Sequence, residues 1–84
     1  MDWALYAWLK RGKRRNSILN ELKKSDKPLT TNDISKNLNI AISQTSFTLG
    51  ELTEKKLVEC LNPTDKIGKL YRITKDGQEI LNEI

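Results

Sequence analysis

Residues 31–58 read TNDISKNLNIAISQTSFTLGELTEKKLV, in which two helix-like apolar patterns follow each other across a short polar break. Thr30 or Thr31 supplies a hydroxyl that can cap the first helix, and Asp33 places a negative charge where the helix dipole favours one. Asn39 lies at the break, and asparagine is among the few residues that tolerate the left-handed conformation of a sharp reversal. The segment therefore predicts two short helices packed across a tight turn, the helix-turn-helix unit.

The helix-turn-helix is predicted over residues 31–55, and its second helix over residues 42–55. An advance of about 100° per residue gathers the apolar side chains of this helix into one arc. The residues expected to face the core are Ile42, Thr45, Leu49 and Leu52. The residues expected to form the outward surface are Ser43, Gln44, Phe47, Thr48 and Glu51. This outward surface is the part of the unit that a ligand could reach.

A small β-hairpin is predicted over residues 57–73, because alternating apolar residues at both ends enclose a centre rich in turn residues. The turn signals are Asn62-Pro63-Thr64-Asp65 and Gly68. Thr74 can cap a last helix over residues 75–84. The fold class predicted is thus mainly α with a small β-hairpin: a winged helix-turn-helix with a three-helix core, a two-stranded wing and a flanking helix at each end.

The N-terminal part of the chain is predicted to be helical, with an aromatic and basic extension over residues 1–12. Asp2 can cap this first helix, and Gly12 would interrupt or bend it. The first core helix is predicted over residues 13–24, and Pro28 prevents it from continuing.

Length and composition limit what the chain can be. Its 84 residues, 37% of them hydrophobic and 31% charged, fit a single soluble domain over residues 1–84. No run approaches the ~20 apolar residues of a membrane span and the N-terminus does not resemble a secretory signal, so a cytoplasmic protein without membrane contact is expected. With no histidine and one cysteine, Cys60, which is expected to be a small buried apolar residue, we expect no metal and no cofactor. Enzymatic activity is not expected either, because there is no histidine base and no Gly-rich phosphate loop.

Positive charge is concentrated near the N-terminus. The net charge is +4, and residues 1–28 hold eight Lys or Arg against three acidic residues, while residues 29–84 hold seven against eight. The centre of this excess is Lys10-Arg11-Gly12-Lys13-Arg14-Arg15. Such a run can be a solvated helix face, or a patch that contacts phosphates and gains free energy by releasing counterions. Anionic lipid surfaces and acidic proteins attract the same charge.

Several segments, taken together, resemble the small archaeal winged helix-turn-helix transcriptional regulators related to the MarR-like and ArsR-like repressors. The resemblance covers almost the whole chain and is carried by Arg11 to Arg15 with Ile18-Leu19, Leu38-x-Ile40 with Ser43, Ser46, Leu49 and Leu52, Lys56 to Leu61, and Leu70-Tyr71-Arg72-Ile73-Thr74-x-x-Gly77. It implies a transcriptional regulator that binds double-stranded DNA, and the partners it implies are the duplex and a second copy of the chain. The helix over 42–55 would then lie in the major groove, with the wing on the backbone or in the minor groove.

Two departures from those relatives concern the proposed recognition helix. Relatives often carry an arginine at the position of Phe47 and a lysine at the position of Gly50. From residue 40 to residue 54 there is no Lys or Arg, so the helix lacks the usual reader of guanine, whereas Gln44 suits adenine. The residues expected to contact bases are Ser43, Gln44, Phe47 and Thr48. The residues expected to contact phosphates are Arg11, Lys13, Arg14, Arg15, Lys66, Lys69 and Arg72.

Other interpretations remain open. An outward Phe47 can instead pack under the wing or join a protein interface, and Glu51 would repel phosphates, so an adaptor module of the transcription or replication machinery is the alternative function. RNA binding is a more distant third. Aromatic residues near the N-terminus are expected to pack with the last helix, either within one chain or across the two-fold axis of a homodimer. The residues of this predicted cluster are Trp3, Tyr6, Trp8, Ile80, Leu81 and Ile84.

Overall fold

The computed structural model describes residues 2–84, which form five α-helices and three short β-strands. The helices are α1 (Trp3–Arg11), α2 (Lys13–Lys24), α3 (Thr31–Leu38), α4 (Ile42–Glu54) and α5 (Lys75–Asn82). The strands are β1 (Leu29–Thr30), β2 (Val58–Cys60) and β3 (Leu70–Ile73). Within these residues, no helix combines the length and the apolar character needed to cross a membrane.

The first helix begins at its predicted cap, and the break between the first two helices lies at Gly12. The Asp2 carboxylate accepts a hydrogen bond from the Leu5 N–H at 3.1 Å, which satisfies one free donor at the start of α1. Gly12 ends α1 and precedes α2. A Cβ atom at Gly12 would lie 2.8 Å from Cγ of Arg15, so a larger residue would displace that side chain. The predicted break at Gly12 and the predicted helix over 13–24 are confirmed.

The turn of the helix-turn-helix is closed by local hydrogen bonds. Thr30 caps α3, accepting a hydrogen bond from the Asp33 N–H while the Asp33 carboxylate accepts one from the Thr30 N–H. Asn39 ends the helix with φ 56° and ψ 48°, the left-handed conformation predicted for it. The Ser35 hydroxyl then donates to the Ile40 carbonyl, which fixes the path of the chain towards α4.

The strands form one three-stranded antiparallel sheet in the order β1-β3-β2. The predicted hairpin of β2 and β3 is confirmed, with Val58 opposite Ile73. The two-stranded wing was incomplete as a prediction, because Leu29 pairs with Tyr71 and adds a third strand. A strand of two residues is too short to show the alternation of apolar and polar residues that predicts a strand. It can be recognised only from its pairing with β3, which is distant in sequence.

The hydrophobic core is built from residues of all five helices and the sheet. Its fully buried side chains are Leu9, Ile18, Leu19, Ile34, Leu49, Leu52, Leu57 and Val58. The predicted core arc of α4 was wrong at two positions. Ile42 is 56% exposed and Thr48 is 1% exposed, because the buried stripe runs through positions 45, 48, 49 and 52, and Ile42 lies one turn beyond the core. Thr48 therefore does not belong to the outward surface.

The C-terminal end of α4 is tied to α5. Lys56 takes φ 63° after the helix, and the Leu57 N–H bonds back to the Leu52 carbonyl at 3.0 Å, which satisfies carbonyls that would otherwise lack a partner. Thr74 caps α5 by accepting from the Gly77 N–H, as predicted. A Cβ atom at Gly77 would collide with the Leu57 carbonyl oxygen, so this glycine allows α5 to approach the chain that leaves α4.

Candidate nucleic-acid interface

The outer face of α4 is exposed and carries no charge along its N-terminal half. Ser43, Gln44 and Phe47 are exposed, as predicted, and Phe47 retains 67% of its surface. Such exposure excludes the alternative that Phe47 packs under the wing. Ser46, which was not predicted as a site residue, is exposed on the same helix. Polar and aromatic groups of this kind can meet base edges and thymine methyl groups in a major groove.

The N-terminus of α4 opens into a cleft that also contains basic residues. Ala41 precedes the helix and makes no side-chain capping bond, so backbone N–H groups of the first turn have no side-chain acceptor from the cap. The cleft is lined by Lys13, Arg14 and Gln44, together with Ser17 and residues 38–41 of the turn. The fold thus brings two cations of the N-terminal basic run beside a predicted base-contacting residue.

A second groove separates α4 from the wing. Its walls are Thr30 to Asn32 at the start of α3, Ile42 and Ser46 of α4, and Lys66, Ile67, Gly68, Lys69 and Tyr71 of the wing. Burial raises the pKa of the Tyr71 phenol, with a smaller contribution from Cys60, so the ring stays neutral at physiological pH. Lys66 and Lys69 thus flank α4 on the side away from the basic run.

One side chain organises the wing loop. The Asn62 amide oxygen accepts from the Leu70 N–H at 2.7 Å, while its nitrogen donates to Asp65 at 2.9 Å and to the Gly68 carbonyl at 3.2 Å. Gly68 has φ 70°, a conformation that favours glycine. The sequence indicated a turn at Asn62 and at Gly68. It did not indicate the hydrogen bonds from the Asn62 side chain to Gly68 and Leu70, because these partners lie six and eight residues away along the chain.

Arg15 is held within the protein rather than presented to a ligand. Its guanidinium lies 4.0 Å from the centroid of the Trp8 ring, donates to the Trp8 carbonyl at 2.9 Å and forms a salt bridge with Glu51 at 3.3 Å. These contacts already engage the guanidinium, so Arg15 is less available to a phosphate than the sequence analysis expected. The same salt bridge compensates the charge of Glu51, which sequence analysis expected to repel phosphates. Arg15 and Glu51 lie 36 residues apart, so spacing along the chain did not indicate the pair.

The other residues predicted to contact phosphates differ in whether they already form a salt bridge within the chain. Arg72 forms a salt bridge with Glu59 across the sheet. Within residues 2–84, the other salt bridges are Arg15–Glu51 and Lys24–Glu21, so Lys13, Arg14, Lys66 and Lys69 join none. Arg11 is also exposed and outside these pairs. Four of the unpaired cations therefore line the two clefts beside α4.

The six residues of the predicted aromatic cluster differ in their surroundings, although Tyr6 and Trp8 do pack against the core that contains Ile80 and Leu81. Ile80 and Leu81 are 5% and 8% exposed, buried in the core of their own chain and closed to a second copy. Trp3 packs edge-to-face on Tyr6 at 5.7 Å and stays 68% exposed, while Trp8 packs under Arg15. The α1 residue that lines a cleft with Ile80 is Leu5, on the same helical stripe as Leu9.

Comparison with known proteins identifies solved structures that share this fold. No family model matches the chain, and no curated protein matches its sequence. A MarR/EmrR family transcriptional regulator from Acinetobacter sp. ADP1 matches 92% of the chain with a TM-score of 0.75 and 25% identity. MepR from a multidrug-resistant S. aureus clinical isolate matches 84% with a TM-score of 0.75 and 26% identity, and a MarR family protein from Bacillus stearothermophilus matches 89% with 0.74 and 20%.

These structures are longer than the chain, which covers 56%, 52% and 54% of them respectively. The matches confirm the predicted winged helix-turn-helix and its likeness to MarR-like regulators. The archaeal origin that the sequence resemblance implied stays a prediction.

Proposed function

We propose that this chain, which has the winged-helix fold of MarR-family transcriptional regulators, binds double-stranded DNA as a transcriptional regulator. The observation that carries the proposal is the position of α4. Its exposed face lies between two clefts, one lined by Lys13 and Arg14 and the other by Lys66 and Lys69. A duplex that received α4 in its major groove would meet cations on both flanks, where its phosphate backbones run.

The base contacts proposed for α4 come from its uncharged exposed residues. Gln44 can form a bidentate pair with adenine, and the Phe47 ring can lie against a thymine methyl group. Ser43 and Ser46 add hydroxyls that can donate or accept. Thr48 is removed from this set because it is buried.

The phosphate contacts proposed are Arg11, Lys13, Arg14, Lys66 and Lys69, with Arg72 shared between DNA and Glu59. The start of α4 lies at the cleft lined by Lys13 and Arg14 and has no side-chain cap, and the free backbone N–H groups of a helix N-terminus can bind phosphate. Arg15 is removed because Trp8 and Glu51 hold it.

A homodimer is part of the proposal. Two copies related by a two-fold axis would bring two α4 helices to successive major grooves, ~34 Å apart. Trp3 and Ile84 are the members of the predicted interface that remain exposed, at 68% and 48%. Sedimentation at micromolar concentration should detect the dimer and should shift to monomer for Trp3→Ala; wild-type protein that sediments only as a monomer would contradict it.

The test of DNA binding is its dependence on salt and on two matched variants. Affinity for duplex DNA should fall steeply between ~50 and ~200 mM salt. Gln44→Ala should reduce discrimination at one base position by ~1–3 kcal/mol, whereas Lys69→Ala should weaken all sequences alike and reduce the salt slope. Lys75→Ala removes an exposed lysine on α5, away from both clefts, and should leave binding unchanged.

The second candidate function is the protein-interaction adaptor, and the exposure of Phe47 is the observation that favours it. A protein that binds no duplex at ~50 mM salt would contradict the DNA proposal and favour the adaptor.

A further inference from the structure

The tip of the wing presents an isoleucine to solvent. Ile67 is 91% exposed, more than any other large hydrophobic residue described in residues 2–84. Exposed Trp3, Phe47 and Ile84 reach 68%, 67% and 48%. An aliphatic side chain this exposed buries almost no apolar area in its own fold, so nearly all of its surface is free to be covered by a partner.

The loop holds Ile67 in a defined place. Asn62 bonds to Asp65, to the Gly68 carbonyl and to the Leu70 N–H, which closes the loop around the tip from inside. Gly68 supplies the reversal immediately after Ile67 with φ 70°. Ordering of this kind lowers the entropy that the side chain would lose on binding.

The surroundings of Ile67 indicate the chemistry of what covers it. Lys66 precedes it and Lys69 follows two positions later, and all three line the groove that faces α4. Neither lysine joins a salt bridge within the described residues. An apolar residue between two unpaired cations fits a polyanion with apolar interior surfaces, and the stacked bases of a duplex between its phosphates have that character.

We propose that Ile67 is a wedge that enters the minor groove next to α4 and partly separates two stacked base pairs, with Lys66 and Lys69 on the flanking phosphates. This inference rests on the proposed DNA-binding function and names the substrate more closely. Pyrimidine–purine steps (TA and CA/TG) unstack most easily, so the chain should prefer a duplex with such a step under the wing. The minor groove lies half a helical turn from the major groove, so the step should fall about 5 bp from the bases that α4 reads.

Selection of binding sites from random duplex DNA, followed by sequencing, tests the wedge. Wild-type protein should enrich two separate features: bases read by α4 and a pyrimidine–purine step about 5 bp away. Ile67→Ser should lose the step and keep the α4 bases, with affinity for the wild-type site lower by about tenfold. Leu61→Ser is the matched control, since Leu61 is also an exposed aliphatic residue of the wing but does not line the groove, and its profile should equal that of the wild type.

A second readout reports the unstacking itself. With 2-aminopurine placed at the enriched step, wild-type protein and Leu61→Ser should raise its fluorescence, and Ile67→Ser should not. Thermal melting of Ile67→Ser should coincide with that of the wild type, because Ile67 is 91% exposed. Leu61 is 40% exposed, so Leu61→Ser should melt at a somewhat lower temperature while it remains folded at the temperature of the binding assay.

The outcomes separate the two proposals. If Ile67→Ser selects the same sites and gives the same fluorescence as the wild type, the wedge is wrong and DNA binding stands. If the wild-type protein enriches no duplex at ~50 mM salt, both are wrong.

Discussion

α3 and α4 meet at the turn around Asn39, yet the contacts that stabilise them lie at very different distances along the chain. α3 is closed locally, by the exchange of hydrogen bonds between Thr30 and Asp33 and by the left-handed Asn39. α4 has no side-chain cap at Ala41, and besides packing on α3 it is linked to α2 by the salt bridge between Glu51 and Arg15, 36 residues away in sequence. The two helices of one small unit are therefore secured by different means.

The polar and close-packed links between distant segments and the region of α4 are gathered at its C-terminal end. Glu51 pairs with Arg15 of α2, Thr74 donates to the Lys56 carbonyl at 2.8 Å, and Gly77 allows α5 to approach closely just beyond. The N-terminal half of α4 is left open towards the two clefts. The buried stripe along α4 and these links at its C-terminal end fix the helix in place, so the outer face of its N-terminal half can stay exposed, as a recognition helix requires.

The largest effect is expected where α5 meets the anchored end of α4. Gly77→Ala should lower the free energy of unfolding by about 2–3 kcal/mol, because its Cβ would collide with the Leu57 carbonyl and lie 2.7 Å from Cγ1 of Ile73. Urea unfolding followed by circular dichroism measures the change.

Gly50 provides the matched control for that substitution. A Cβ atom at Gly50 would meet nothing within 4 Å, and the residue lies inside α4. Gly50→Ala should therefore stabilise the protein by up to about 1 kcal/mol. If both alanine variants shifted the urea midpoint in the same direction, close packing at Gly77 would not explain its effect.

The capping contacts of α3 were predictable from sequence because they join residues three apart. Thr30 and Asp33 follow a spacing whose geometry is the same in every helix. The anchoring of α4 was not predictable in this way. Arg15 looked like one more cation of a basic run, and only the fold brings it over Trp8 and onto Glu51.

The residues of the candidate site show the same difference between what local sequence spacing predicts and what it does not. The outward positions of Gln44 and Phe47 followed from the helical period, and both are exposed. Ile42 was predicted to be buried and is exposed, whereas Thr48 was predicted to be exposed and is buried. The helical period alone does not fix where the buried stripe lies on a helix or where along the helix it ends. Ile67 was passed over, since an isolated apolar residue in a polar loop gives no periodic signal.

A smaller effect is expected at the Arg15 contact between α2 and α4. Arg15→Ala should lower the free energy of unfolding by about 1–2 kcal/mol, because it removes a cation–π contact, a hydrogen bond to the Trp8 carbonyl and a partly exposed salt bridge. Arg14→Ala removes a neighbouring charge that joins no salt bridge and should change stability by less than about 0.5 kcal/mol while weakening DNA binding. If Arg15→Ala were as stable as the wild type and bound DNA as weakly as Arg14→Ala, Arg15 would be a phosphate-contacting residue and not a structural one.

The smallest effect is expected from the local cap of α3, and it depends on pH. A hydrogen bond from the Thr30 N–H, aided by the Thr30 hydroxyl, lowers the pKa of Asp33 below its ordinary value of 3.8. Because the folded pKa lies below the unfolded one, the ionised cap stabilises the protein above the unfolded pKa, and this contribution is lost as pH falls through the folded pKa. The stability difference between wild type and Asp33→Asn, measured by urea unfolding from about pH 6 to about pH 3, should therefore shrink towards the acid end. Asp26→Asn removes one carboxylate from an exposed turn and controls for the change in net charge. A difference that stayed constant down to the acid end would mean that α3 is not held by its ionised cap, and the contrast with α4 would then rest on Asn39 alone.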